Sequence, residues 1–120
     1  MSVERTSYVI AGYDLTEYVT DKYDEWRWTY EGEEYVCNQI KDYIQLFDDP
    51  LNGEYLYLGY IFANIENWDE FNTEIINPEK IYDVMPDVAQ KLLDLESKGI
   101  ISKCPKLRLD YKLIVFEEYK

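Results

Sequence analysis

The chain has no histidine. That removes the commonest general base and the commonest transition-metal ligand together. Basic residues are scarce. Twelve Lys and Arg stand against twenty-five Asp and Glu, a formal net charge of −13. Affinity for phosphate comes from Lys and Arg, so this balance turns the chain away from nucleic acid and anionic membranes and toward basic partners. The plainer reading of the same acids is a well-solvated surface. Cysteine is limited to Cys37 and Cys104, far apart and without a motif. No apolar leader precedes them, because MSVERTSYVI carries Glu4 and Arg5. The expectation is therefore the cytoplasm and two free thiols, with Cys37 a small buried hydrophobe. Long apolar runs are missing too: the longest, Tyr55 to Ala63, is the size of a strand and not of a membrane span. There is no phosphate loop, no GxSxG, no HExxH and no CxxC. The chain is accordingly expected to be non-enzymatic, with no catalytic residues, no metal site and no cofactor.

What is abundant is tyrosine, thirteen in 120 residues. The length suits a single domain over residues 1–120, since two domains would each lack a sufficient core. Tyrosine has an apolar ring and a polar tip, so it suits the border between core and water, where protein interfaces are built. The stretch Tyr13 to Tyr35, YDLTEYVTDKYDEWRWTYEGEEY, concentrates this chemistry. Seven aromatics alternate there with eight acids, opposed only by Lys22 and Arg27.

Taken in order, Tyr8 to Ala11 reads as a first strand. The Tyr13–Tyr35 stretch has no clean period and reads as extended or irregular, with one helical turn near Asp21 to Trp26. Tyr35 to Cys37 leans to strand. Tyr43 to Phe47 is a strand, followed by the turn Asp48-Asp49-Pro50-Leu51-Asn52-Gly53 and a second strand from Tyr55 to Ala63. The second strand is apolar on both faces and belongs in the middle of a sheet. Phe71 to Ile76 is a further candidate strand, and Trp68 sits in a second aromatic–acid cluster. Asn77-Pro78 starts a helix. Ile81, Val84, Val88, Leu92 and Leu95 form its apolar face, Pro86 kinks it and Gly99 closes it. From Leu107 to Val115 apolar and polar residues alternate as in a half-buried strand. These elements predict an α+β domain: an antiparallel sheet of about four to five strands with one main helix, about 78–98, packed on one face. The helix stripe and the apolar face of the last strand are expected to bury each other.

The Asp48–Gly53 turn fails as a calcium loop. Counted from Asp48, an EF-hand would need ligands where Pro50 and Gly59 stand. Carboxylate pairs such as Asp24-Glu25 and Glu33-Glu34 would suit a divalent cation or acid–base chemistry, but twenty-five acids make such pairs unavoidable. Trp26-Arg27-Trp28 has two readings. As structure, alternation buries both indoles and exposes Arg27. As function, exposed indoles and tyrosines are anchors ringed by acids. The functional reading takes Tyr18, Tyr23, Trp26, Trp28 and Tyr30 as anchors and Asp21, Asp24, Glu25 and Glu31 as an electrostatic rim for a basic protein partner. An acidic mimic of nucleic acid is the alternative, and self-association through sheet edges makes a homo-oligomer a further possibility.

YVIAGYDLTEY (Tyr8–Tyr18), the Tyr-Trp stretch after it and the closing YKLIVFEEYK (Tyr111–Lys120) resemble the small, acidic, Tyr-rich proteins of uncharacterised role in phages and prophages of Gram-positive bacteria. The resemblance is one of style over most of the chain and carries no functional residue across. It implies an accessory role in a host cell's cytoplasm. Its sharp form is an inhibitor of a CRISPR or restriction system, although no motif of a named inhibitor family is present.

Overall fold

The structure is a computed structural model that describes residues 5–37, 42–49, 53–66 and 76–119. Four antiparallel strands, β1 (Arg5–Asp14), β2 (Ile44–Asp48), β3 (Leu56–Glu66) and β4 (Lys112–Tyr119), form one sheet in the order β2-β3-β1-β4. Between β1 and β2 lie a 3-10 turn (Thr16–Tyr18) and two short helices, α1 (Tyr23–Arg27) and α2 (Tyr30–Val36). After β3 come α3 (Pro78–Asp83) and α4 (Met85–Ser97), then a 3-10 turn (Leu107–Leu109). The expected α+β architecture is present, with β3 central and the helix broken beside Pro86. Phe71 to Ile75 and Trp68 lie outside the described residues, and Ile76 belongs to no strand.

The main helix follows its sequence. The Asn77 side chain accepts the Glu79 backbone N–H at 3.0 Å, satisfying one orphan donor of the first turn. Pro86 has no N–H to give to Tyr82, and α3 passes to α4 through Val84. Val84, Val88, Leu92 and Leu95 are all buried. Val88, Leu92 and Leu95 pack, with Ile100, Ile101 and Leu107, on the sheet face that carries Tyr13, Ile44, Leu46, Leu56 and Leu58.

The sheet is strongly coiled, and two glycines allow it. Gly12 opposes Gly59 across β1 and β3. A Cβ on Gly12 would fall 1.8 Å from the Leu58 carbonyl oxygen, and one on Gly59 would fall 2.9 Å from that of Ala11. Side chains at this crossing would force the strands apart. The register also slips between Val9 and Ile10, leaving Phe62 as the extra residue of a bulge. In a flat sheet the outer strands would lie about 14 Å apart. Here Phe47 of β2 and Phe116 of β4 meet with ring centroids 5.2 Å apart. Tyr8, Tyr55 and Tyr57 complete an aromatic cluster on this second face, which buries Phe47.

Four expectations are corrected. The Tyr13–Tyr35 stretch is mostly helical after Tyr23 instead of irregular. Tyr35 and Val36 end α2 instead of forming a strand. Leu107 to Leu109 is a 3-10 turn, so the last strand starts at Lys112. The apolar face of that strand is not buried by the helix: Val115 is 72 % exposed and Leu113 45 %. The helix stripe is covered by β1, β2 and β3, and β4 packs through its opposite side, where Phe116 is half-buried in the aromatic cluster.

Candidate binding cleft at the first helices

The α1–α2 segment is folded by local rules that alternation obscures. Thr29 is the N-cap of α2: its hydroxyl oxygen accepts from the Gly32 N–H at 3.2 Å and donates to the Trp26 carbonyl at 2.7 Å. Gly32 sits where a Cβ would fall 2.2 Å from that same carbonyl oxygen, so glycine lets α2 cross tightly over the end of α1. The helical turn then places Trp26, Arg27 and Trp28 in three different directions.

Arg27 points inward, against the strand-type reading that exposed it. Its Nε donates to Asp48 Oδ2 at 2.7 Å, and its Nη1 to Glu33 Oε1 at 3.0 Å. The Tyr23 hydroxyl donates to the same Asp48 oxygen at 2.6 Å. Asp48 ends β2, so one carboxylate clamps α1 to the sheet. Burial, and then the hydrogen bond to Asp48, push the Tyr23 hydroxyl far above its usual range, so it remains a donor. Trp26 is half-buried. Its ring packs edge-on to Tyr35 at 5.3 Å and its Nε1 donates to Glu31 Oε1 at 3.0 Å.

Glu31 also binds Lys98, which reaches Asp94 at 2.9 Å, and Asp94 accepts the Tyr35 hydroxyl. The hydrogen bond from Lys98, then that from Trp26, hold Glu31 below the usual carboxylate range. This network ties α2 to the end of α4. Tyr18, half-buried, packs against the core cluster.

Trp28 behaves differently. It is 68 % exposed, and the Arg27 guanidinium carbon lies 4.6 Å from its ring centroid. Beside it opens a cleft of about 310 Å³, walled by Val19, Tyr23, Asp24, Arg27, Asp48 and Tyr55 among others. Tyr30 is 81 % exposed, and Asp21, Asp24 and Glu25 are exposed as well. The nine expected contact residues thus divide. Tyr23, Asp24 and Trp28 line the cleft. Asp21, Glu25 and Tyr30 face solvent. Tyr18, Trp26 and Glu31 are engaged in packing or internal bonds, although Glu31 remains exposed. Reasoning from sequence missed Arg27, Asp48 and Tyr55 as cleft residues. The available signal for Arg27 was its isolation among acids, since a cation so placed finds carboxylates to enter the interior with.

Among the described residues the cleft pairs an exposed indole with the carboxylates of Asp24 and Asp49, and with Asp48, which is already bonded to the one cation of the lining, Arg27. Cys37 is exposed at the end of α2, which corrects its expected burial, and both cysteines are unbridged. Among the described residues no group of three His, Cys, Asp or Glu converges as metal ligands, and no helix is long and apolar enough to cross a membrane. The chain matches no protein-family model, no curated protein and no solved structure.

Proposed function

We propose that the protein is a non-enzymatic binding module that receives a basic segment of another protein at the α1–α2 surface. The observation that carries this reading is Trp28, a large aromatic left 68 % exposed beside an acidic cleft while its neighbour Arg27 is buried. Trp28 and Tyr30 are the anchors, and Asp21, Asp24 and Glu25 are the rim that steers a cationic partner. No cofactor takes part. In the phage-type reading the partner is a cytoplasmic protein of the host.

A second reading, mimicry of nucleic acid, draws on the exposed acids Glu17, Asp21, Asp24, Glu25, Glu31 and Glu34, spread from the 3-10 turn after β1 through α1 and α2. Capture from a bacterial lysate at low and moderate salt separates the two. Binding through the anchors predicts a partner that is lost with Trp28→Ala and is not displaced by added duplex DNA. Mimicry predicts a nucleic-acid-binding protein that DNA displaces and Trp28→Ala still retains. Capture indifferent to both Trp28→Ala and Asp24→Lys removes this surface from the function.

A further inference from the structure

The edge strand β4 carries an apolar strip that the other described residues leave open. Val115 is 72 % exposed and Leu113 45 %, and among the described residues no strand pairs with the outer side of β4. The opposite edge is different, because α2 packs against β2. Open edges are templates for another strand, and proteins commonly blunt them with charge. In β4 the charges stand toward the two ends, at Lys112 and at Glu117 and Glu118, with Leu113 to Phe116 uncharged between them.

That arrangement is complementary to itself. Residues opposite one another in an antiparallel pair share a face, so the position numbers of each pair must sum to an even value. Centring two copies of β4 on Val115 sets Val115 against its own symmetry mate and Lys112 against Glu118 of the second copy, twice. Centring on Ile114 or on Phe116 leaves Lys112 without an acid opposite. The Val115 row also continues inward, since Val115 opposes Val9 and Val9 opposes Ala63. Pairing at the edge therefore joins two rows of small apolar side chains into one. Lys112 meets Asp110 at 3.0 Å in an exposed pair, and such pairs hold weakly in water.

We propose that two copies of the chain pair β4 to β4, antiparallel and centred on Val115, to form a continuous eight-stranded sheet with two Lys112–Glu118 cross-strand pairs. Each copy carries −13, so the copies repel at long range, and salt screens that repulsion. Self-association therefore strengthens as salt rises from low to physiological, the reverse of capture of a basic partner.

Sedimentation velocity of the full chain from micromolar to submillimolar concentration tests this. The expected result is a monomer of 14.4 kDa giving way to a dimer, more readily at physiological than at low salt. Val115→Lys, at an exposed position, is expected to give a folded monomer. Lys112→Glu is expected to weaken the dimer about tenfold, and the exchange Lys112→Glu with Glu118→Lys to restore it. A wild-type chain that stays monomeric throughout, a dimer that survives Val115→Lys, or an exchange variant no tighter than Lys112→Glu would each overturn the proposal. None of these outcomes touches the α1–α2 cleft, so the binding reading stands or fails separately.

Discussion

Arg27 and Asp48, twenty-one positions apart, meet at 2.7 Å where the first helix closes on the end of β2. The carboxylate side chain is 10 % exposed and the guanidinium 11 %. The pair fixes α1, and through α1 it sets the angle at which Trp28 leaves the surface. Removing one partner strands the other in the interior. Arg27→Met is expected to cost about 3 kcal/mol in urea denaturation, whereas Trp28→Ala, at an exposed site, should change stability by about 0.5 kcal/mol or less. Equal losses in the two variants would contradict the division between scaffold and anchor.

The glycine crossing makes a sharper demand. Gly12→Ala places a methyl against backbone, 1.8 Å from the Leu58 oxygen, and no rotamer change relieves it. The loss should be on the order of 3 kcal/mol or more, visible as a large fall in melting temperature. Gly53 is the control. Its φ is 64°, and among the described residues nothing lies within 4 Å of where a Cβ would stand, so Gly53→Ala should cost only about 1 kcal/mol of backbone strain.

Stability should fall at both ends of the pH scale, for separate reasons. Lys98 holds Glu31 below its ordinary 4.5, and the Tyr35 hydroxyl holds Asp94 below its ordinary 3.8. A depressed carboxyl contributes in full above its unfolded value, and that contribution is lost as pH falls through the folded one. The acid limb therefore lies below pH 4.5, and Lys98→Met should flatten it. Burial is the main cause raising Tyr23, Tyr35 and Tyr55, and it pushes Tyr111 up to about 12. A raised phenol contributes below its unfolded value of 10.0, and the contribution is lost as pH rises beyond it. Denaturation midpoints should thus drop above about pH 10, with the buried tyrosines ionising together with unfolding in an ultraviolet titration.

The main helix was legible because its signals are local: an Asn-Pro start, a stripe from Ile81 to Leu95, a proline break and a terminal glycine. The β2–β3 pairing and the central position of β3 were legible for the same reason, one turn and one doubly apolar strand. The Trp26–Trp28 region was not. Helices of five and seven residues show at most two turns of any period, and Thr29 and Gly32 direct the chain through contacts that spacing does not record. Leu107, Leu109 and Leu113 misled by alternating across a turn and a strand alike. Which face of β4 packs is decided by Phe116 meeting Phe47 of β2, a contact between strands that one strand's own pattern does not record. Of the candidate site, the aromatic and acidic types were legible, but not the separation of Trp28 from Trp26.

The central claim is that Trp28 and its neighbouring acids form a receptor for basic side chains. The direct measurement is heteronuclear NMR of the three indole N–H resonances, assigned through Trp28→Phe, during titration with a short peptide of alternating Arg and Ala. The account predicts a saturable shift of the Trp28 indole and the Asp24 amide, little change at Trp26, and weaker binding in Asp24→Lys/Glu25→Lys at an unchanged melting temperature. Shifts spread evenly over the acidic surface without saturation at Trp28, or affinity untouched by the double charge reversal, would contradict it.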